Sequence, residues 1–160
     1  MKEPVAFYIP PEGGERLFLR PPSRSGEVRI LVDPHTTQSG RFSLGTQRLV
    51  PEGGRIPVHR HHHQEEVLFI QSGTGRATLG EETVAITAGA TLYIPAGVWH
   101  GVENQGTEPL DLLWVIAPSG LEGMFREIGA PAGTDPEPLS DTEFAELVQK
   151  HDMEVRRDLP

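Results

Sequence analysis

Short apolar runs alternate along this chain with polar breaks rich in Gly and Pro, a pattern that predicts many short strands joined by tight turns. Residues 16–20 (RLFLR) and 28–32 (VRILV) read as two strands of an outer sheet separated by the turn-forming PPSRSG. Residues 42–50 predict a further strand, and 5–9 is the one stretch of the N-terminal arm able to make another. The run VLFI at 67–70 predicts a strand, GRATLG (75–80) and ETVAI (82–86) a hairpin, and TLYIP (91–95) the next strand. In LDLLWVIAP, 110–118, Asp111 marks one face, so Leu110, Leu112, Trp114 and Ile116 form the other, which is expected to point inward.

Beyond Pro118 the period changes from two to three and four. Leu121, Met124, Phe125 and Ile128 predict a helix opened by a Ser119-to-Glu122 capping box and closed by Gly129. A second capping box, Ser140 to Glu143, opens another helix, with Leu139 and Phe144 placed as a hydrophobic staple and Leu147 and Val148 continuing the apolar face. The expected organisation is therefore a strand-rich body over 1–118 and a helical extension over 119–160 packed on it.

Composition narrows the class. With 160 residues one domain is the default, and 18 Gly and 15 Pro suit strands and turns rather than a helical bundle. A formal charge of −9 weighs against a phosphate-backbone partner, so no nucleic acid is expected. The chain has no cysteine, hence no disulfide and no thiolate chemistry. No run approaches the roughly 18 apolar residues of a membrane span, and the N-terminus lacks a signal-peptide core. A cytoplasmic protein with no membrane partner is the expectation.

The candidate chemistry lies in residues 53–73, GGRIPVHRHHHQEEVLFIQSG. In an extended strand, residues two apart share a face at about 6.6 Å, so His59 and His61 can converge on one ion. Glu66, across a short polar turn holding His63 and Gln64, can return a carboxylate to it. His100, after the Pro95–Gly97 turn, supplies a fourth donor. His62 has the opposite strand parity, His63 lies in the turn, and His35 and His151 are expected at the surface. Three imidazoles and a carboxylate suit one divalent transition metal ion, with iron, manganese, nickel, copper, cobalt and zinc all open, and do not suit calcium.

The spacing resembles a known family. Gly53, His59, His61, Glu66 and Gly73 fill the first motif of the cupins, and Gly89, Pro95, Gly97, His100 and Asn104 fill the second, with only fifteen residues between. The resemblance implies an all-β fold, a double-sheet jelly-roll (cupin) barrel over 1–118 with two short C-terminal α-helices. It implies metal binding by His59, His61, Glu66 and His100, and a homodimer through the N-terminal strands, whose edge would otherwise be free to pair. The C-terminal stretch APSGLEGMFREIGAP is similar to that of quercetin dioxygenase-like cupins, and both helices either cap the barrel or form a lid over the pocket. The first expectation for function is an oxidoreductase, a metal-dependent dioxygenase acting on a small hydroxylated or aromatic compound, with Glu66 also the catalytic base. A metal-dependent isomerase or decarboxylase of a small sugar or acid, and a non-catalytic small-ligand-binding module, are the alternatives. The small-molecule pocket is expected to be apolar, with Leu68, Ile70, Val102 and Trp114 as walls and Met124 and Phe125 as the lid.

Overall fold

The computed structural model describes residues 5–156. Its elements in order are β1 Glu15–Leu19, β2 Glu27–Val32, α1 Pro34–Thr37, β3 Ser43–Leu49, β4 Arg55–His61, β5 Glu65–Ser72, β6 Thr74–Leu79, β7 Glu82–Thr87, β8 Thr91–Ile94, β9 His100–Asn104, β10 Leu110–Ala117, α2 Leu121–Ile128, β11 Gly129–Ala130, α3 Asp141–Lys150 and β12 Met153–Val155. They form a seven-stranded sheet, β11-β1-β2-β3-β10-β5-β8, and a five-stranded sheet, β12-β4-β9-β6-β7. Every pair is antiparallel. This is a double-sheet jelly roll whose inner faces share one core. Strict alternation explains β10, where Leu110, Leu112, Trp114 and Ile116 are all buried and their neighbours half-buried.

Glycine sets two of the turns that frame the sheets. At Gly73 the backbone has φ +88°, and a Cβ there would sit 2.7 Å from Pro109 O, so β5 passes to β6 only without a side chain. At Gly97, φ is +80° and the N–H donates to His61 O at 2.7 Å, fastening the loop before β9 onto β4.

Several local expectations change. Residues 5–9 form no strand. In place of a turn, 34–37 form α1, because Asp33 accepts the Thr36 N–H at 2.9 Å while the Thr36 hydroxyl accepts the Asp33 N–H at 3.0 Å, and Pro34 supplies a pre-set φ. His35 lies on α1 and is exposed. Ser119 does not cap α2; the N-cap is Gly120, at φ +144°, whose N–H is taken by the Glu122 carboxylate at 2.9 Å. Gly129 ends α2 in extended rather than left-handed geometry, since it enters β11 and pairs with Leu19. The last carbonyls of α2 go instead to the Arg20 guanidinium, 2.8 Å from Ile128 O and 2.7 Å from Glu127 O. Ser140 and Glu143 do form the capping box of α3.

The extension beyond residue 118 adds a strand to each sheet as well as two helices. β11 covers β1 at Phe18 and Leu19, so the edge from which a homodimer was expected is occupied there. β12 pairs with β4, setting Met153 opposite His61 and Val155 opposite His59. His151, expected at the surface, is half-buried with Nε2 2.9 Å from the Glu127 carboxylate, which joins the end of α3 to α2.

Candidate metal centre

The two sheets deliver the four predicted donors to one point. β4 and β9 are neighbours in the small sheet with His59 opposite His100, and His61 follows two residues along the same inward face. Glu66 is the first inward residue of β5 in the large sheet, opposite Ile94 and Ile116. The hairpin between β4 and β5 is held by Gln64, whose Nε2 donates to Pro118 O at 3.0 Å. His62 and His63 point outward and are exposed; His63 Nδ1 lies 2.6 Å from Asp152.

His59, His61, Glu66 and His100 are all buried, and one donor atom from each lies within 4.8 Å of the other three. The Nε2 atoms of His59 and His61 are 3.2 Å apart, His61 Nε2 is 3.5 Å from Glu66 Oε2, and His100 Nε2 is 2.6 Å from the same oxygen. His59 Nδ1–H donates to Pro57 O at 2.7 Å, and His100 Nδ1–H to Val98 O at 2.9 Å. A carbonyl only accepts, so both rings carry their proton on Nδ1, and in the neutral ring each Nε2 presents a lone pair inward. His61 Nδ1 has no partner among the described residues.

Neighbouring groups shift the protonation of His59, Glu66 and His100. Burial, reinforced by the neighbouring His100 and His61 rings, holds His59 well below the ordinary imidazole value, keeping it neutral. Burial alone would raise the Glu66 carboxyl, but hydrogen bonds and charge from His100 and His61 outweigh it and hold Glu66 well below the usual carboxylate range. Burial lowers His100 as well, and the Glu66 hydrogen bond and charge outweigh it, so the imidazole is raised. Lone pairs and a carboxylate gathered in a dry interior are satisfied together by a cation, and the donor set therefore fits a divalent metal ion. The two backbone carbonyls behind His59 and His100 are the groups that hold the rings in ligating orientation.

Of the four donors, His59 and Glu66 open onto an internal cavity of about 60 Å³. Trp114, Met124 and Phe125 line it, with the Trp114 and Phe125 rings 5.5 Å apart. Leu68, Ile70 and Val102 do not; they are packed into the core at 2%, 0% and 2% exposure. Phe144 and Val148 of α3 and Met153 and Val155 of β12 stand in the lining instead. Sequence reasoning also missed the polar members, Gln47, Ser23 and Ser25. A signal for Gln47 existed, because it shares strand parity with the apolar Leu49.

Fold and site together define a jelly-roll protein with a buried three-histidine, one-glutamate centre. The cupin domain model matches residues 45–116. An uncharacterized protein of Methanocaldococcus jannaschii is 35% identical over 86 residues, covering 54% of this chain and 68% of that protein. The chain belongs to the cupin superfamily. Mannose-1-phosphate guanylyltransferase 2 of Escherichia coli O157:H7 is 39% identical over 67 residues, which is 42% of this chain and only 14% of that enzyme's length. The solved structure of a predicted oxalate decarboxylase from Thermotoga maritima matches with a TM-score of 0.55 at 26% identity, covering 66% of this chain and 92% of that one. Among the described residues no helix is long and apolar enough to cross a membrane.

Proposed function

We propose that the protein is a metal-dependent dioxygenase acting on a compact, uncharged compound that chelates the metal through a hydroxyl and a neighbouring oxygen. The observation that carries this reading is the lining of the cavity next to His59 and Glu66, which contains no Lys or Arg among the described residues. A phosphorylated sugar or a dicarboxylate buried there would lack the charge-assisted partners that such groups require. A hydroxylated neutral compound needs none. A redox-active divalent metal, when bound by His59, His61, Glu66 and His100, supplies Lewis acidity toward the substrate hydroxyl and an electron path to dioxygen. Glu66, which lines the cavity, would accept the proton of that hydroxyl once a bound metal had acidified it. Met124, Phe125 and Phe144 exclude water around the reacting group. Both atoms of one dioxygen then enter the products as a carbon–carbon bond of the substrate breaks, so the substrate is the reductant and no other is consumed.

The test is oxygen uptake by metal-loaded protein over compact catechols, hydroxy-ketones and diketones. Glu66→Gln should keep some metal but lose turnover by a factor on the order of 100 to 10,000. The similarity to the Thermotoga maritima structure favours a second reading, a metal-dependent decarboxylase of a small acid. Turnover without oxygen would favour it. Ligand binding with no turnover in either atmosphere would leave a non-catalytic binding module.

A further inference from the structure

The inward face of β3 is polar where it meets the cavity. Ser43, Gly45, Gln47 and Leu49 share that face and are all buried. Trp114 stands opposite Gly45 on β10, and its indole lies over the glycine: a Cβ built on Gly45 would sit 2.7 Å from Cε2, the ring atom bonded to Nε1. The Cζ2–Cε2 edge of the ring therefore lies against β3, whose next inward residues on either side of Gly45 are Ser43, its Oγ also without a partner among the described residues, and Gln47. Trp114 is 1% exposed and lines the cavity, yet its Nε1–H has no partner among the described residues. Gln47 is 5% exposed and lines the same cavity, and its amide enters none of the side-chain hydrogen bonds among those residues. Buried donors are almost always satisfied, and leaving one unpaired is costly.

We infer that Trp114 Nε1–H and the Gln47 amide form a second, polar end of this cavity, which binds an oxygen of the substrate away from the metal centre. An indole N–H only donates, so the atom facing it is an acceptor; an amide both donates and accepts. A hydroxyl meets both, accepting from Trp114 and donating to Gln47, and a carbonyl oxygen accepts from both. The substrate class is thereby narrowed to a small molecule with a chelating pair of oxygens at one end and one further hydroxyl or carbonyl oxygen at the other. At about 30 Å³ per water in the liquid, the cavity holds on the order of two waters, so anything larger relies on the adaptable Met124 and Met153 side chains to yield. This inference rests on the reading that a metal-chelating substrate occupies the cavity.

Two probes test it: glycolohydroxamate and propionohydroxamate, which share the hydroxamate chelate and differ in a terminal hydroxyl against a methyl. Their affinities for cobalt-loaded protein would be measured by calorimetry. A purely apolar wall prefers the methyl. The inferred pair reverses the order, and glycolohydroxamate should bind about three- to tenfold more tightly. In Trp114→Phe, which keeps an aromatic ring and loses the N–H, and in Gln47→Leu, the preference should fall to within about twofold. Equal binding of both probes by the wild type, or a preference for propionohydroxamate, overturns the inference while leaving the chelation reading intact. So does a preference that survives both substitutions. If neither probe binds the metal-loaded wild type, the chelation reading itself fails and the inference falls with it. Should Trp114→Phe not fold, the wild-type comparison and Gln47→Leu decide.

Discussion

Gly45→Ala puts the packing around Trp114 to a direct test. A Cβ at this position falls within the radii of Arg29 O on β2 and of Trp114 Cζ2, and lies 2.7 Å from Trp114 Cε2. Ordinary carbon contacts begin at about 3.5 Å, so β2 or the indole has to move by roughly an ångström. Overpacking of this kind costs about 1–3 kcal/mol, and the upper end applies because one obstacle is a backbone carbonyl beside the β2–β3 ladder. Alanine recovers about 0.5–1 kcal/mol over glycine in a strand interior, leaving a net loss of about 2 kcal/mol. For a chain of this size that lowers Tm by about 4–8 °C. The assay is thermal and urea denaturation, with Gly80→Ala as the control: Gly80 has φ +64° and a Cβ there meets nothing within 4 Å, so its cost is conformational alone. Near-UV circular dichroism should change at Gly45→Ala, because the indole is displaced, and stay unchanged at Gly80→Ala. In a Trp114→Leu background the penalty of Gly45→Ala should shrink by about 1 kcal/mol through the shared contact. A Gly45→Ala protein as stable as wild type, with an unaltered near-UV spectrum, would refute the placement of the ring and the donor argument built on it.

Two further outcomes follow from the site and its surroundings. A metal held only by the folded chain stabilises by about 2.7 kcal/mol at a hundredfold excess over Kd, so chelator should lower the Tm of the wild type but hardly that of His59→Ala/His100→Ala; equal shifts in both would place the ion elsewhere. Asp33, whose carboxylate lies 2.7 Å from Arg126 and caps α1, would be raised by burial, but Arg126 and Thr36 outweigh this and depress it; Asp33→Asn should therefore cost about 1–3 kcal/mol at pH 7. Because the folded value is depressed, that contribution is complete above the unfolded value of about 3.9 and is lost as pH falls through the folded one. A stability gap as wide at pH 2 as at pH 7 would rule out the charged pair as its source.

The grouping of the four candidate donors was legible because it depends on local rules. Strand parity put His59 and His61 on one face, and the turn residues between 95 and 97 returned His100 beside them. β11 and β12 were not legible: two and three residues carry no period, and what makes them strands is pairing with β1 and β4, chain segments far away in sequence. The start of α2 was misplaced for a related reason. Ser119 has the chemistry of a cap, but its N–H is engaged with Gly40 O at 3.2 Å, and the chain turns at Gly120 instead. Alternation put Leu110, Leu112, Trp114 and Ile116 of β10 on one face, and all four are buried, but it carries no information about which inward residues border a cavity, and Leu68, Ile70, Val102 and Trp114 were all expected as its walls. Leu68, Ile70 and Val102 are core alone, whereas Trp114, also core, lines the cavity, because the free space is set by where α2, α3 and β12 lie over the sheets.

That division has a consequence for how function is inferred within the family. All four metal donors fall within 45–116, the stretch shared with other cupins. Leu121, Met124 and Phe125 from α2, Phe144 and Val148 from α3, and Met153 from β12 form much of the cavity wall, and all lie outside it. A relative that aligns only over the shared stretch therefore carries no information about the shape or polarity of the space beside the four donors. The guanylyltransferase similarity, confined to 42% of this chain, is of this kind. In this chain the C-terminal helices and β12 lie over the centre and leave a space lined largely by apolar residues, whose inferred polar anchors, Gln47 and Trp114, come from β3 and β10. Exchanging residues 119–156 with those of a relative should therefore change which ligands bind while leaving metal affinity near its original value, and a swap that abolished metal binding would show that β12, paired along His59 and His61, is part of the centre rather than of its wall.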